Sequence, residues 1–188
     1  MIDNKKKKLA LFDMDGTLLD TAEVNFLSYR EAARKYGYEI ERVRFMNEFG
    51  RNYKEFLPMF GVEDTHIQEK IHEDKKRLYP NYLASARLNQ HLLNMMKSMH
   101  QEYMIALVTT ASRKNVEDIL ESFQLMEQFD FLITQEDTVK LKPDPECYLV
   151  AMEKAGINPE NTVIFEDSEV GIRAAEKSQA AVIQIRKF

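Results

Sequence analysis

Short apolar runs alternate with longer amphipathic segments along most of the chain. The runs have the length of buried strands and lie at residues 9–12, 104–108, 131–134, 162–165 and 181–185. The segments between the last four runs carry apolar residues at helical spacing, as at Val116, Ile119 and Phe123. Strands that alternate with helices form parallel sheets covered on both faces. The pattern therefore predicts an α/β fold built on a five-stranded parallel sheet.

A different pattern fills the gap between the first and second strands. Phe26, Tyr29 and Ala33 lie three or four residues apart, which predicts a helix that ends at Gly37. Further helices are predicted at about residues 41–49, 53–60 and 64–79. No strand pattern interrupts them in the sequence. This part of the chain is therefore predicted to be an all-helical unit.

The helical unit is predicted to be an insertion in the α/β core. After Ser85, a helix that carries Leu88, Leu92 and Met99 is predicted to lead into the second strand. We therefore expect a core domain made of residues 1–20 and 84–188, and an inserted helical domain made of residues 21–83.

Composition and charge limit the partners and the compartment. The chain has 188 residues, of which 44% are hydrophobic and 30% are charged, and a formal net charge of -5. The lysines at residues 5–8 precede the first strand, where a solvated lead-in is the expected role, so we expect no nucleic-acid partner. The sequence has no apolar signal region after Met1 and no run long enough to cross a membrane, so we expect neither secretion nor a membrane partner. The single Cys147 excludes an internal disulfide and favours a cytoplasmic protein.

Two carboxylates follow the first predicted strand at once. Asp13 and Asp15 flank a single residue, and Gly16 begins a turn. Two acidic groups this close repel one another unless a cation or a shared proton lies between them, which indicates a hard metal ion, with Mg²⁺ the best candidate. The alternatives are a simple polar turn and a calcium loop. A calcium loop of the helix-loop-helix type requires Glu at its twelfth position, where this chain has Val24.

Polar residues also follow the next three predicted strands. Thr109 and Thr110 follow the second strand, Lys142 lies in the loop after the third, and Glu166 and Asp167 follow the fourth. In parallel α/β sheets, ligands bind at the carboxyl ends of the strands. Four strand ends therefore point to one site at the same edge of the sheet.

The order of these motifs resembles that of the haloacid dehalogenase superfamily of phosphotransferases. The similar segments are Asp13 to Thr17, Thr109 after its strand, Lys142-Pro143 and Glu166-Asp167. The resemblance covers most of the chain and implies a Rossmann-like core with an inserted helical cap of the family's first type.

The resemblance implies a role for each of these residues. Asp13 would be the nucleophile that forms an aspartyl-phosphate, and Asp15 would act as general acid and then as general base. Mg²⁺ would be held by Asp13, by the backbone carbonyl of Asp15 and by Asp167, with Glu166 either a ligand or an orienting residue. The oxygens of the phosphoryl group would be bound by Thr109, Thr110 and Lys142. In this family an acidic residue at the position of Asp15 is found in phosphatases and phosphomutases, so dehalogenation is disfavoured.

The helical insertion is expected to close over the site as a lid and to determine specificity. Arg51 and Lys54 are candidates for contacting the leaving group of the substrate, and solvated surface charges are the alternative interpretation. The beginning of the insertion, residues 20–23, is similar to that of β-phosphoglucomutases, whose cap carries a His a few residues later. This chain has Asn25 at the matching position, which favours hydrolysis over phosphate transfer within a sugar.

We therefore expect a Mg²⁺-dependent phosphomonoester hydrolase that acts on a small metabolite such as a sugar phosphate or a phosphoglycolate-like acid. A sugar phosphomutase is the main alternative, and a non-catalytic phosphate-binding regulatory protein is the third. The expected partner is the small-molecule substrate, and the expected assembly is a monomer or a small homo-oligomer.

Overall fold

Parallel strands form the main sheet of the protein. The structure is a computed structural model, and it describes residues 7–186 and residue 188. The strands are β1 (Lys8–Phe12), β2 (Leu19–Asp20), β3 (Arg87–Leu88), β4 (Tyr103–Val108), β5 (Phe131–Ile133), β6 (Thr162–Glu166) and β7 (Ala181–Gln184). The main sheet has the order β5-β4-β1-β6-β7, and its neighbouring strands are parallel. The predicted five-stranded parallel sheet is confirmed, with the first strand at its centre.

The register of the central strand aligns the strand ends. Phe12 at the end of β1 is the register partner of Leu107 in β4 and of Phe165 in β6. The rings of Phe12 and Phe165 stack with their centroids 4.4 Å apart. Parallel strands end at the same edge of a sheet, so the residues that follow Phe12, Phe165 and β4 share one edge.

The helices are α1 (Ala22–Arg34), α2 (Arg42–Glu48), α3 (Tyr53–Phe56), α4 (Thr65–Leu78), α5 (Gln90–Met99), α6 (Arg113–Ser122), α7 (Glu146–Ala155) and α8 (Glu169–Lys177). Short 3-10 segments lie at Leu57–Phe60, Tyr79–Ser85, Met126–Gln128, Gln135–Asp137 and Pro159–Asn161. Leu9 and Leu11 of β1 pack in one buried cluster with Tyr148 of α7 and Ala174 of α8. Side chains of successive strand residues point to opposite faces, so this cluster covers one face of the sheet.

One predicted helix begins later than expected. Leu88 lies in β3, which pairs with β2 in a separate two-stranded sheet, and α5 begins at Gln90. The side chain of Asn89 accepts a hydrogen bond from the backbone N–H of Leu92 and so caps the helix. The prediction was wrong at Leu88 because strands of two residues are too short to produce a periodic pattern.

The described residues fall into two compact units. One contains the described residues up to Asp20 together with Leu88–Phe188, and the other is Thr21–Arg87. The second unit is helical, with short 3-10 segments. Two of its helices, α2 and α4, start where polar side chains accept backbone N–H groups: Glu41 accepts from Val43 and Arg44, and Asp64 accepts from His66 and Ile67. Such N-caps stabilise helix starts that lack internal partners.

The helical unit is packed around aromatic rings. Phe26 and Tyr29 of α1 contact Phe45 of α2, and the ring of Tyr29 meets the ring of Phe56 edge to face at 4.9 Å. The first helix of the unit ends at Arg34, three residues before the predicted Gly37, which adopts a positive φ of 81° in the turn that follows. Aromatic pairs of this kind supply much of the buried area of a small unit.

The structure bears on the predictions about membrane spans and about the basic run at residues 5–8. Within the described residues, no helix is both long and apolar enough to cross a membrane. Lys8 begins β1, and its Nζ lies 2.7 Å from the Glu102 carboxylate at the surface. The lysines at positions 5 and 6 lie outside the described residues, so the role of the basic run stays a prediction.

Candidate active site

The backbone at the edge of the sheet is held by strand pairing that continues past the strand ends. The N–H of Asp13 donates to the carbonyl of Phe165 at 3.0 Å, and the N–H of Thr109 donates to the carbonyl of Ile133 at 3.0 Å. These bonds fix the backbone of both residues to neighbouring strands. Side chains placed there have less freedom than those on the outer parts of loops.

Lys142 joins two carboxylates at the ends of different strands. Its Nζ donates to Oδ1 of Asp13 at 2.7 Å and to Oε1 of Glu166 at 2.6 Å. The three side chains are almost fully buried, with exposed fractions of 6% for Lys142, 9% for Asp13 and 1% for Glu166. The sequence separates Lys142 from Asp13 by 129 positions, so only the fold brings the ammonium to the predicted nucleophile.

Glu166 is anchored by donors on both of its oxygens. Besides Lys142, Oε1 accepts a hydrogen bond from the hydroxyl of Tyr148 at 3.3 Å. Oε2 accepts from the backbone N–H of Ser168 at 2.8 Å and from its hydroxyl at 3.1 Å. The ring of Tyr148 also lies 5.1 Å from Nζ of Lys142, within the range of a cation–π contact. These contacts favour an orienting role for Glu166 over direct metal binding.

Asp167 lies beside Glu166 and faces the turn after β1. Its Oδ1 accepts a hydrogen bond from the hydroxyl of Thr17 at 2.9 Å. Gly16 in the same turn has a φ of 91°, and a Cβ placed on it would lie 2.2 Å from Oδ2 of Asp167. A side chain at position 16 would therefore displace the carboxylate, so glycine is required both by the backbone and by this close approach.

The carboxylates form a cluster that fits a divalent cation. Asp13, Glu166 and Asp167 each present an oxygen, and these oxygens lie within 4.8 Å of one another. The Lys142 ammonium pairs with Asp13 and Glu166, so one positive charge faces three negative ones when all three acids are ionised. Mg²⁺ prefers one or two protein carboxylates and oxygen ligands from phosphate and water. The donor set of Asp13 and Asp167 meets that preference.

The crowding of these acids raises the pKa values of Asp13 and Asp167. Burial and the neighbouring Glu166 carboxylate raise the pKa of Asp13 well above its usual range, against the lowering effect of Lys142. Burial and Glu166 also raise the pKa of Asp167, to about 6. Burial works against the charge on Lys142, but Asp13 and the other acidic neighbours outweigh it and raise the pKa of the ammonium well above its usual value. The lysine therefore stays charged, and a bound cation would lower the pKa of both acids and favour their ionised forms.

The other predicted site residues of the core also lie at this edge. Asp15 is half-buried, and its charge contributes to the raised pKa of Asp167. Thr109 is buried, and its hydroxyl accepts a hydrogen bond from the backbone N–H of Ala111 at 3.1 Å, whereas Thr110 is exposed. The roles of these residues and the backbone carbonyl of Asp15 as a metal ligand stay predictions.

The predicted specificity residues belong to the helical unit. Arg51 forms an ion pair with Glu48, its Nε lying 2.6 Å from Oε2, and Nζ of Lys54 lies 5.7 Å from the ring of Tyr53. Asn25 uses its side-chain amide to donate to the backbone carbonyl of Thr21 at 3.0 Å. These are contacts within the unit, and a role in substrate binding stays a prediction for Arg51 and Lys54.

Two contributors to the site escaped the sequence analysis. Tyr148 lies at helical spacing in α7 and packs in the core, but its hydroxyl also donates to Glu166. Thr17 lies in the turn after β1, and its hydroxyl donates to Asp167. No local pattern distinguishes a buried tyrosine that supports a charge from one that only packs.

Comparison with known proteins agrees with this architecture. The haloacid dehalogenase-like hydrolase family matches residues 10–185. A phosphorylated carbohydrates phosphatase from Thermotoga maritima is 30% identical over 174 residues, covering 89% of this chain and 80% of the relative. A β-phosphoglucomutase from Bacillus subtilis is 26% identical over 181 residues, covering 91% of this chain and 80% of the relative.

A solved structure supports the fold independently. CbbY from Rhodobacter sphaeroides in complex with phosphate superposes with a TM-score of 0.82 at 24% identity, covering 96% of this chain and 87% of the other. At that identity the likeness establishes the fold alone. The family match spans both the strand-end residues and the helical insertion, so this chain belongs to the haloacid dehalogenase-like hydrolase family.

Proposed function

We propose that this protein is a Mg²⁺-dependent phosphatase that hydrolyses small phosphomonoesters through an aspartyl-phosphate on Asp13. The observation that carries the proposal is the 2.7 Å contact between Nζ of Lys142 and Oδ1 of Asp13, beside the carboxylates of Glu166 and Asp167. Phosphoryl transfer depends on a positioned nucleophile and on charge stabilisation, and this cluster supplies both.

The first chemical step would transfer the phosphoryl group to Asp13. A carboxylate oxygen of Asp13 attacks phosphorus, the bond from phosphorus to the ester oxygen breaks, and the protonated carboxyl of Asp15 gives its proton to the departing oxygen. Lys142 holds Asp13 in place and offsets charge on the phosphoryl oxygens. The hydroxyl of Thr109 and the backbone N–H of Thr110 are the proposed hydrogen-bond donors to the same oxygens.

The second step would return the enzyme to its starting state. Water attacks phosphorus, the carboxylate of Asp15 accepts the proton of that water, and the bond between phosphorus and Asp13 breaks to release inorganic phosphate. Asp15 thus ends the cycle protonated, as it began. One residue serves as acid and then as base because the first step leaves it ionised.

Asp13, Asp167 and the backbone carbonyl of Asp15 are the proposed ligands of Mg²⁺. When bound, the ion supplies positive charge that stabilises the phosphoryl oxygens and keeps the clustered carboxylates ionised. Glu166 is proposed to orient Lys142, since both of its oxygens accept hydrogen bonds from protein donors.

The proposed substrates are phosphorylated sugars and related small acids. Relatives named for phosphorylated carbohydrates and for β-phosphoglucomutase support a sugar phosphate over a macromolecular substrate. We further propose that the unit Thr21–Arg87 is the cap that selects the leaving group, with Arg51 and Lys54 as its cationic contacts. Cap residues govern specificity because they bind the part of the substrate that differs between phosphomonoesters.

The direct test is phosphate release from a panel of small esters. Glucose 6-phosphate, fructose 1-phosphate, phosphoglycolate, pyrophosphate and para-nitrophenyl phosphate would be assayed with Mg²⁺ and then with excess EDTA. We expect release that requires Mg²⁺ and that falls by at least about a thousandfold in Asp13→Asn. Asp118→Asn on α6, a carboxylate that pairs with Lys114, is the matched control and should resemble the parent.

Other outcomes would favour the alternatives. Movement of phosphate between positions of a hexose phosphate without net release, followed by phosphorus NMR, would identify a sugar phosphomutase. Binding of Mg²⁺ and vanadate without turnover of any ester would identify a non-catalytic regulatory protein. Undiminished release by Asp13→Asn would contradict the proposed nucleophile.

A further inference from the structure

The ammonium of Lys142 is delivered to the site by a loop. Residues 138–145 connect the 3-10 segment Gln135–Asp137 to α7 and contain Lys142, whose side chain reaches Asp13, the residue after β1. A lysine side chain has four rotatable bonds, so its position depends on how firmly the backbone beneath it is held. The contacts of this loop therefore bear on the chemistry at Asp13.

Glu146, the first residue of α7, binds the backbone of this loop with both carboxylate oxygens. Oε1 accepts the N–H of Val139 at 3.2 Å, and Oε2 accepts the N–H of Lys140 at 2.6 Å. These amides lie three and two residues before Lys142. Hydrogen bonds to an ionised acceptor are about twice as strong as bonds between neutral groups, so the pair forms a firm attachment.

The loop is also held on the other side of Lys142. The N–H of Asp144 donates to the carbonyl of Leu141 at 3.0 Å, and Oδ1 of Asp144 accepts the N–H of Glu146 at 3.1 Å. Nζ of Lys177 from α8 donates to the carbonyl of Pro143 at 3.0 Å. With the later part of the loop fixed to α7 and α8, Glu146 supplies the matching attachment for the earlier part.

We propose that Glu146 is a positioning residue for the reaction, acting through Lys142. By fixing the amides of Val139 and Lys140, it keeps the ammonium of Lys142 within hydrogen-bond distance of Asp13. The proposal rests on the proposed function, since it assigns Glu146 an effect on the phosphoryl-transfer step. Its signature is a fall in kcat with little change in KM, because the transition state depends on the placement of charge more than substrate binding does.

Glu146→Gln is the test variant, since it keeps the shape of the side chain but replaces one acceptor oxygen with an NH₂ group. We expect kcat for para-nitrophenyl phosphate to fall about tenfold and KM to stay within about twofold. Glu153→Gln is the matched control, because Glu153 is an exposed residue of the same helix and the substitution removes the same charge. The control should retain the kcat of the parent, and thermal unfolding of both variants would verify that they are folded.

A double-mutant cycle with Lys142→Ala distinguishes positioning from a purely structural role. If Glu146 acts through Lys142, then Glu146→Gln should change kcat by less than about twofold once Lys142 is absent. If Lys142→Ala reduces turnover below detection, the affinity for vanadate in the presence of Mg²⁺ can replace kcat. It would be measured by calorimetry for the parent, the two single variants and the double variant. Equal effects of Glu146→Gln with and without Lys142 would overturn the inference.

The failures of the two proposals give different results. If the parent hydrolyses the ester and Lys142→Ala is impaired, but Glu146→Gln matches the parent, only the inference about Glu146 is overturned. A fall of the same size in Glu153→Gln would overturn it as well, because the effect would then follow charge alone. If the parent releases no phosphate from any member of the panel, both proposals are overturned.

Discussion

The two units of the protein differ in the most prominent cluster that each buries, although Asp74 and Lys75 are buried in the helical unit and Phe12 and Phe165 stack in the α/β unit. The α/β unit buries charge, with Asp13, Lys142 and Glu166 enclosed at the edge of its sheet. The helical unit buries rings, with Phe26, Tyr29, Phe45 and Phe56 packed together between its helices. Burial of an apolar ring is favourable, whereas burial of an isolated charge is unfavourable.

The difference separates a part of the molecule that stabilises from a part adapted for chemistry. A buried ring contributes apolar area and favourable ring contacts to the folded state. Buried ion pairs are weak evidence for stability because desolvation offsets much of their attraction. A buried cluster with more carboxylates than ammonium groups contributes even less to the stability of the fold. The reaction that we propose is the best explanation for its presence.

Among the variants that compare the two units, the largest effect should come from adding a methyl group beside the charged cluster. A Cβ on Gly171 of α8 would lie 1.7 Å from Oε1 of Glu166, and Glu166 is held by Lys142 and Ser168. We expect Gly171→Ala to lower kcat at least about tenfold, because Glu166 must move and Lys142 with it. The free energy of unfolding should fall by about 2 kcal/mol despite the higher helix propensity of alanine. Phosphate release and urea unfolding measure the two effects.

Gly37→Ala in the helical unit is the matched comparison. Gly37 has a φ of 81°, and a Cβ built there meets no atom of the described residues within 4 Å. The substitution should cost about 1 kcal/mol through backbone strain alone and leave kcat unchanged. Equal losses of activity in the two variants would remove the distinction between the units.

The next effect concerns a histidine among the rings. His72 of α4 has its Nδ1 2.8 Å from the hydroxyl of Tyr29, and its ring stacks on Tyr53 at 3.9 Å. Burial, followed by the charges of Lys76, Lys75 and Lys54, lowers the pKa of His72 from 6.5 to about 3. The folded state thus binds fewer protons than the unfolded state, so stability is complete above pH 6.5 and declines as the pH falls toward 3. We expect a loss of about 1–2 kcal/mol between pH 7 and pH 5 in urea unfolding.

Substitution of histidines assigns this pH dependence. His72→Phe retains a ring against Tyr53 but cannot titrate. Its free energy of unfolding should therefore change less between pH 7 and pH 5 than that of the parent. His66→Gln is the control, because His66 is an exposed histidine of the same helix. A slope that persists in His72→Phe would place the responsible groups elsewhere.

The smallest effect on stability is expected at the surface of the helical unit. The side chain of Arg51 is 54% exposed and pairs with Glu48, and such surface ion pairs contribute little. Arg51→Gln should change the free energy of unfolding by less than about 0.5 kcal/mol. If Arg51 binds the leaving group, KM for a sugar phosphate should rise severalfold while kcat is retained. An unchanged KM would indicate that Arg51 is a solvated surface charge and does not bind substrate.

The sequence predicted the elements of the fold better than their limits. The five apolar runs correspond to the five strands of the main sheet, because each strand is a local run of apolar residues. The helices predicted to start near residues 53 and 64 are present, and in the structure the side chains of Asn52 and Asp64 cap them. The paired strands that contain Leu19 and Leu88 were missed, since they depend on pairing between residues distant in sequence.

The candidate site was predicted in its residue types but not in its connections. Asp13, Lys142 and Glu166 were selected as polar residues that follow strands or lie in the loops after them. Tyr148 contacts both Lys142 and Glu166, and Glu146 accepts hydrogen bonds from the loop that carries Lys142. No local sequence pattern predicts these contacts. A tyrosine at helical spacing and a glutamate at a helix start both have common structural explanations.

The sequence by itself determined which segments become the strands of the main sheet and most of the helices, and which acids follow those strands, because periodicity is a property of neighbouring residues. The tertiary structure decided the strand order that places β1 between β4 and β6, and thereby which side chains meet. It joined Lys142 to Asp13 across 129 positions of sequence. Contacts of that kind depend on how whole elements pack, and packing is settled only when the complete chain buries its apolar surface.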